Sequence, residues 1–340
     1  LWGVTVRSPH PSATITSIDI GPALAIAGVA TILTHEDVPG SKLYGMKQAD
    51  QPVLAIDEIR YQGQPIAIVA ADHPETARRA AAAVEIGYDV HDPLTDPLVA
   101  MHETARLVCP DGNVARHVKI RHGDIAAARA ASDVIVDGTY EVGTQDPAVL
   151  GPESGLAVPD GSGGIDLYVA SQWIHDDQRQ VAASLGLPLE HVRVTLAGVG
   201  GAFGGREDIS VHIHACMLAM RTGRPVKMSY NREESFVGHV HRHPASMRIE
   251  QGATAEGRLT FTKAEIVFDG GAYTSTSKIV IANGSYFAAG AYAVENVEID
   301  GYAVYTNNPP CGAMRGFGAV QTCYAIESSM DRLAVALDMD

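Results

Sequence analysis

Gly200-Gly201-Ala202-Phe203-Gly204-Gly205-Arg206-Glu207 is the stretch on which the reading of this chain turns. The extended apolar run Val192-Arg193-Val194-Thr195-Leu196-Ala197 feeds into it, and a helical pattern over 208–221 leaves it. The glycines therefore sit on a strand–loop–helix turn, where main-chain N–H groups face a ligand at close range. A phosphate-cradling loop needs Lys and then Ser or Thr after its last glycine, but Arg206 and Glu207 follow Gly205. A dinucleotide fingerprint starts at Gly198 and Gly200 and fails where Phe203 takes the third glycine position. Both nucleotide motifs are excluded. An aromatic and an acid inside such a loop require a reason beyond a tight turn. Glu207, at the expected helix N-terminus, should stay ionised in the field of the helix dipole.

A chain of 340 residues with 46% apolar content supports two or three domains with substantial cores. The net charge of −15 argues against nucleic acid and anionic membrane surfaces as partners. No stretch resembles a signal peptide, and no apolar run is long enough to span a bilayer. Cys109, Cys216, Cys311 and Cys323 are scattered without CxxC spacing, so reduced thiols in a cytoplasmic protein are expected. The chain opens directly on an apolar strand and stops at Asp340, just after a helix over 322–337 with no visible C-cap. These ends read as those of a fragment of a longer polypeptide.

The expected class is α+β, a mixed α/β protein in three stretches. Residues 1–90 alternate strands (14–20, 29–33, 65–70, 84–88) with helices at 21–27 and after Pro74, and should pack as a separate unit with its own core. Asp72 and Glu75 form a capping-box pattern ahead of the second helix. Residues 91–140 form a turn-rich connector, with Asp124 capping a short helix over 125–131. Residues 141–340 carry the glycine loop. On the helix over 208–221, Ile209, Ile213, Cys216 and Met220 share a stripe, and Gly223 suits its C-terminal cap.

Several segments, in order along nearly the whole chain, resemble the molybdenum hydroxylases, the xanthine dehydrogenase and aldehyde oxidase family, and in particular their large molybdopterin-binding subunit. Val6-Arg7-Ser8-Pro9-His10-Pro11 and Asp57-Glu58-Ile59-Arg60-Tyr61-Gln62-Gly63-Gln64-Pro65-Ile66-Ala67 look like its N-terminal α/β-hammerhead domain. Ser171-Gln172-Trp173, the glycine loop, Asp269-Gly270-Gly271-Ala272-Tyr273 and Ala313-Met314-Arg315-Gly316-Phe317-Gly318 look like the first, incomplete part of the molybdopterin-binding domain.

The resemblance implies a molybdopterin cofactor, in its plain or cytosine dinucleotide form. Gln172, Gly201, Ala202, Phe203, Gly204, Met314 and Arg315 would contact it, with Gln172, Phe203 and Arg315 in the molybdenum environment. Glu207 and Phe317 look like substrate contacts, with Asn283 nearest the place of a substrate-clamping arginine that xanthine-oxidising relatives carry. The implied activity is hydroxylation of an N-heterocycle, most closely a purine such as xanthine or hypoxanthine, with water as oxygen source. An aldehyde or another N-heterocycle is the alternative substrate, and a non-catalytic subunit-docking module the alternative role. No catalytic residue is expected within the chain, because the family's general-base glutamate lies beyond the position of Asp340. The implied partners are the remainder of the subunit and iron–sulfur and flavin subunits or domains, which would carry [2Fe-2S] and FAD, in a hetero-oligomer.

Two other constellations invite attention. His239, His241 and His243 alternate as if on one face of a strand, which a zinc site could use, but no acid or cysteine of ligand spacing lies close in sequence. Ser171, His175 and Asp176 suggest a hydrolase, yet no Gly-x-Ser-x-Gly elbow surrounds the serine. His212 and His214 read as hydrogen-bonded helix histidines.

Overall fold

The strand Pro65–Ala71 has all seven residues buried, so both of its faces need cover. The computed structural model, which describes residues 1–340, supplies that cover from two directions. The helix Pro74–Ala82 packs on one set of contacts and the helix His212–Thr222 on another. Pro65–Ala71 lies in a seven-stranded sheet ordered Val192–Leu196, Ile165–Val169, Ser154–Pro159, Val226–Ser229, Trp2–Arg7, Pro65–Ala71, Val29–Leu33.

This sheet corrects the expectation that residues 1–90 pack separately. Trp2–Arg7 pairs in parallel with Val226–Ser229, with Trp2 opposite Lys227 and Gly3 opposite Met228. A Cβ on Gly3 would lie 2.5 Å from Met228 Cγ and 3.0 Å from Leu218 Cδ1, so glycine lets these two side chains pack against the strand without shifting. The largest core accordingly unites Leu33, Leu54 and Ile68 with Leu167, Val181, Leu218 and Met228. The N-terminal stretch keeps two smaller clusters, one around Val6, Ile32 and Val69 and one around Ala13, Ile59 and Ile66. The second of these lies under a three-stranded sheet of Glu58–Ile59, Ala13–Asp19 and Glu85–Val90.

A five-stranded sheet ordered Val134–Val142, Ala245–Ala253, Leu259–Gly271, Val297–Tyr305, Val114–His122 forms the second half of the architecture. The helices Ser277–Phe287 and Ala319–Leu337 cover it around Met247, Ile266, Phe268 and Ile326. The class is mixed α and β, as expected.

Local details differ from expectation for identifiable reasons. The helix expected over 208–221 begins only at His212, because residues 204–211 are held in turns. Residues 212–219 are all buried, so the helix shows no single apolar stripe. Pro74 at the first helical position makes His73, not Asp72, the N-cap; its Nδ1 accepts from Glu75 N at 3.2 Å. Asp338, in left-handed conformation, caps the final helix, for which the sequence shows no cap signal. Asp124 and Gly223 cap as expected. No helix is long and apolar enough to cross a membrane.

Candidate active site

Ser171 follows the strand Ile165–Val169 and precedes the helix Ile174–Leu185. Its Oγ accepts from Trp173 N at 3.0 Å, which fixes this turn and employs the hydroxyl structurally. The turn delivers Gln172 to the glycine loop. Gln172 N donates to Arg206 O at 2.9 Å. Its Oε1 accepts from Gly204 N at 3.0 Å and from Arg206 N at 3.3 Å. Two N–H donors on one amide atom identify that atom as the oxygen. The NH₂ makes no hydrogen bond within the chain, and Gln172 is exposed.

The third segment closes on the same loop. Arg315 N donates to Phe203 O at 2.8 Å, and Phe317 N returns to Met314 O at 2.7 Å. Gly204 has φ +99°, and a Cβ there would sit 2.8 Å from Ala313 O and 2.9 Å from Met314 Cα. Only glycine permits this approach. Gly201 O receives Arg206 Nε at 2.9 Å, and Ala202 O receives Gly205 N at 2.9 Å. Arg206, 5% exposed, also reaches Gly151 O and so acts as an internal strut for the loop.

Distant segments thus converge by direct hydrogen bonds. The junction lies outside the principal cavities, none of which is lined by Gln172, Phe203, Glu207, Arg315 or Phe317. Gln172, Phe203 and Arg315 are exposed, so the chain presents an open half-shell.

Glu207 lies five positions before the helix that was to hold its charge, and burial raises its pKa instead. Its neighbour Asp208 is pushed up to about 6, first by burial and further by the charge of Glu207, against a hydrogen bond from Ser275. Ser275 Oγ donates that bond at 2.9 Å. Asn283 Nδ2 donates to Phe317 O at 2.7 Å, so one amide hydrogen serves the Phe317 backbone.

Backbone strain concentrates in this region. Ala148, Phe203, Ser275 and Phe317 take φ of +46°, +52°, +41° and +47°. Each is tied into the network: Ala148 N to Asp146 at 2.6 Å, Phe203 O to Arg315, Ser275 to Asp208, Phe317 O to Asn283. Non-glycine residues in left-handed conformation persist where the surroundings over-determine them, and they gather at functional sites.

The histidines do not share a face. His239 and His241 stack at 5.5 Å and both place Nε2 3.3 Å from Asp146 Oδ2, an acid from a distant loop. Burial raises the Asp146 pKa, but the close approach of both histidine rings at 3.3 Å outweighs it and holds the carboxyl far below its usual range. His243 turns away to Ser277 Oγ at 2.7 Å, and burial lowers its pKa to about 3. His214 is wholly buried, bonded to Val53 O at 2.8 Å, with its pKa lowered to about 4 by burial.

Sequence reasoning missed Asp208, Ser275, Arg242 and Asp146. Asp208 and Ser275 stand beside matched motifs and are open to notice there. Asp146 carries no local signal.

Residues 109–340 match the molybdopterin cofactor-binding domain, and residues 1–92 match the a/b hammerhead domain of aldehyde oxidase and xanthine dehydrogenase. The chain belongs to the xanthine dehydrogenase and aldehyde oxidase family of molybdenum hydroxylases. Over its full length it is 35% identical to a probable xanthine dehydrogenase subunit of Bacillus subtilis, spanning 46% of that protein. It is 37% identical to the nicotinate dehydrogenase large molybdopterin subunit of Eubacterium barkeri, of which it spans 80%. The aldehyde oxidoreductase structure from Desulfovibrio gigas superposes with a TM-score of 0.96 at 28% identity, covering 100% of this chain and 39% of that one. The chain therefore spans about half the length of the first of these relatives, and less of the last.

Proposed function

We propose that this chain supplies part of the cofactor and substrate site of a molybdenum hydroxylase acting on an N-heterocycle, most closely a purine such as xanthine or hypoxanthine. The observation that carries the reading is the junction of Gln172, the Phe203-Gly204 backbone and the Met314-Arg315 turn. The residues fit a molybdopterin group on two counts. Gly204 keeps a side chain out of the approach, and Gln172 presents an unengaged NH₂ beside it. Gln172, Phe203 and Arg315 would face the metal, with Gly201, Ala202, Gly204 and Met314 along the pterin. The group would supply activation of water and acceptance of two electrons from the substrate carbon.

The chain's own residues bind and orient. The Gln172 amide donates without adding charge. Glu207, half-buried in the loop with its pKa raised by burial, offers a carboxyl oxygen to accept a hydrogen bond from a ring N–H or exocyclic N–H or O–H of the substrate. Phe317 provides a stacking face for a flat heterocycle, and Asn283 holds the strained Phe317 backbone in place. No residue here is assigned as the general base; that role falls to a glutamate on the remaining polypeptide. Iron–sulfur and flavin partners in a cytoplasmic hetero-oligomer complete the assignment.

A second reading keeps the cofactor and changes the substrate to an aldehyde or a different N-heterocycle. It is favoured by the lack of an arginine in the 278–285 stretch, where Asn283 is nearest the expected place of a xanthine-clamping arginine, and by the likeness to a nicotinate dehydrogenase subunit. Oxidation assays on the complete protein, with xanthine, hypoxanthine, nicotinate and aromatic aldehydes side by side, decide between them. Turnover of purines supports the first reading; turnover of aldehydes or nicotinate alone replaces it with the second.

A further inference from the structure

Arg242 is 7% exposed, and its guanidinium is only partly used. Nε donates to Gln145 Oε1 at 2.9 Å and Nη2 to Arg315 O at 2.8 Å, while the buried Nη1 has no hydrogen-bond partner. No carboxylate pairs with it, and burial alone acts on its pKa, downward. Gln321, 1% exposed, is incomplete in the opposite sense. Its Nε2 donates to His243 O at 3.2 Å, and its Oε1 is buried without a donor.

Both side chains line one cavity of about 490 Å³, together with Glu141, Gln145, Val320 and Tyr324. That volume lies within the range of small-molecule sites. A buried cation without a counter-charge and a buried acceptor without a donor are each costly alone. One ligand satisfies both if it carries an anionic oxygen and an N–H or O–H. Water would fill the hydrogen bonds and leave the charge unmatched. The exposed Glu141 at the rim opposes a multiply charged anion, which selects a carboxylate over phosphate. Val320, 45% exposed, and Tyr324, 50% exposed and edge-on to Tyr140 at 6.1 Å, offer an apolar and aromatic wall for the body of the ligand.

We propose that this cavity is a binding site for a small monocarboxylate bearing a hydrogen-bond donor, distinct from the glycine-loop site. The two are linked through Arg315, whose N–H serves Phe203 and whose carbonyl serves Arg242.

Isothermal titration of the purified protein with 4-hydroxybenzoate, its neutral isostere 4-hydroxybenzamide and inorganic phosphate tests this without cofactor or turnover. Its failure is therefore separate from failure of the hydroxylase reading. The acid should bind at least about tenfold more tightly than the amide or phosphate. Val320→Glu, on an exposed helix face, replaces part of the apolar wall with a carboxylate and should weaken the acid about tenfold more than it weakens the amide. Arg242→Lys keeps the charge but loses the fork, and should reduce the preference for acid over amide. Equal binding of acid and amide, tighter binding of phosphate, acid binding indifferent to Val320→Glu, or no binding at all overturns the proposal.

Discussion

Gln172 Oε1 accepts the main-chain N–H of Gly204 at 3.0 Å and that of Arg206 at 3.3 Å, so one exposed amide anchors a loop from another part of the chain. The same side chain has two separable duties, an acceptor bonded to the loop and a donor with no partner in the chain. Gln172→Glu keeps the acceptor and should leave the urea midpoint nearly unchanged. Gln172→Leu orphans the N–H groups of two buried residues and should lose about 1 to 3 kcal/mol. The proposed cofactor role predicts that Gln172→Glu, although stable, lowers molybdenum content.

The strain at Phe203 makes a second prediction. Its φ of +52° costs an L-residue energy that glycine avoids, and its ring is 51% exposed, so little packing is lost on truncation. Phe203→Gly should be neutral or stabilising by about 1 kcal/mol. A large destabilisation in chemical unfolding would show that the ring carries packing the structure does not account for.

Gly204 and Gly112 form a matched pair. Both take positive φ, +99° and +110°, but a Cβ at 204 meets main chain whereas one at 112 meets nothing within 4 Å. Gly112→Ala should cost about 1 kcal/mol for conformation alone. Gly204→Ala should cost about 2 to 4 kcal/mol, because Ala313 and Met314 are backbone and cannot swing aside. Equal losses in denaturant titrations would argue against the close approach.

Three groups, Asp208, Asp146 and His239, give the stability a pH dependence with opposite edges. The Asp208 pKa rises from 3.8 to about 6, so the native state binds the extra proton. Stability should therefore fall as pH climbs from 3.8 through 6, and Asp208→Asn should remove that fall. Asp146 is depressed, so its contribution is present above pH 3.8 and lost as pH drops through its native pKa. For its partner His239, burial lowers the pKa, but the close approach of Asp146 and the charges of Glu153 and Asp146 raise it on balance above 6.5. That contribution is full below pH 6.5 and fades as pH rises through the native value. Unfolding curves of Asp146→Asn, compared with the parent across this span, should show both edges flattened.

What is legible in the sequence follows the range of the forces involved. The strand at Val29–Leu33, the Asp124 cap and the Gly223 helix end depend on neighbouring residues, and each is found where local chemistry puts it. The parallel pairing of Trp2–Arg7 with Val226–Ser229 depends on segments that only the completed fold brings together. That is why the N-terminal stretch reads as a unit of its own in the sequence alone. The grouping of Gln172, Phe203 and Arg315 came from family resemblance, since no periodicity connects them. Glu207 shows the opposite failure: a local helix argument assigned its charge state, and the turns at 204–211 removed the helix from under it.

The most direct test of the account is joint quantification of molybdenum and pterin in the complete purified protein and in its Gln172→Leu and Gly204→Ala variants. The half-shell assignment predicts molybdenum and pterin in near-equal amounts in the parent, and loss of both in variants that remain folded. A parent free of molybdenum and pterin, or variants that retain both in full, would contradict it.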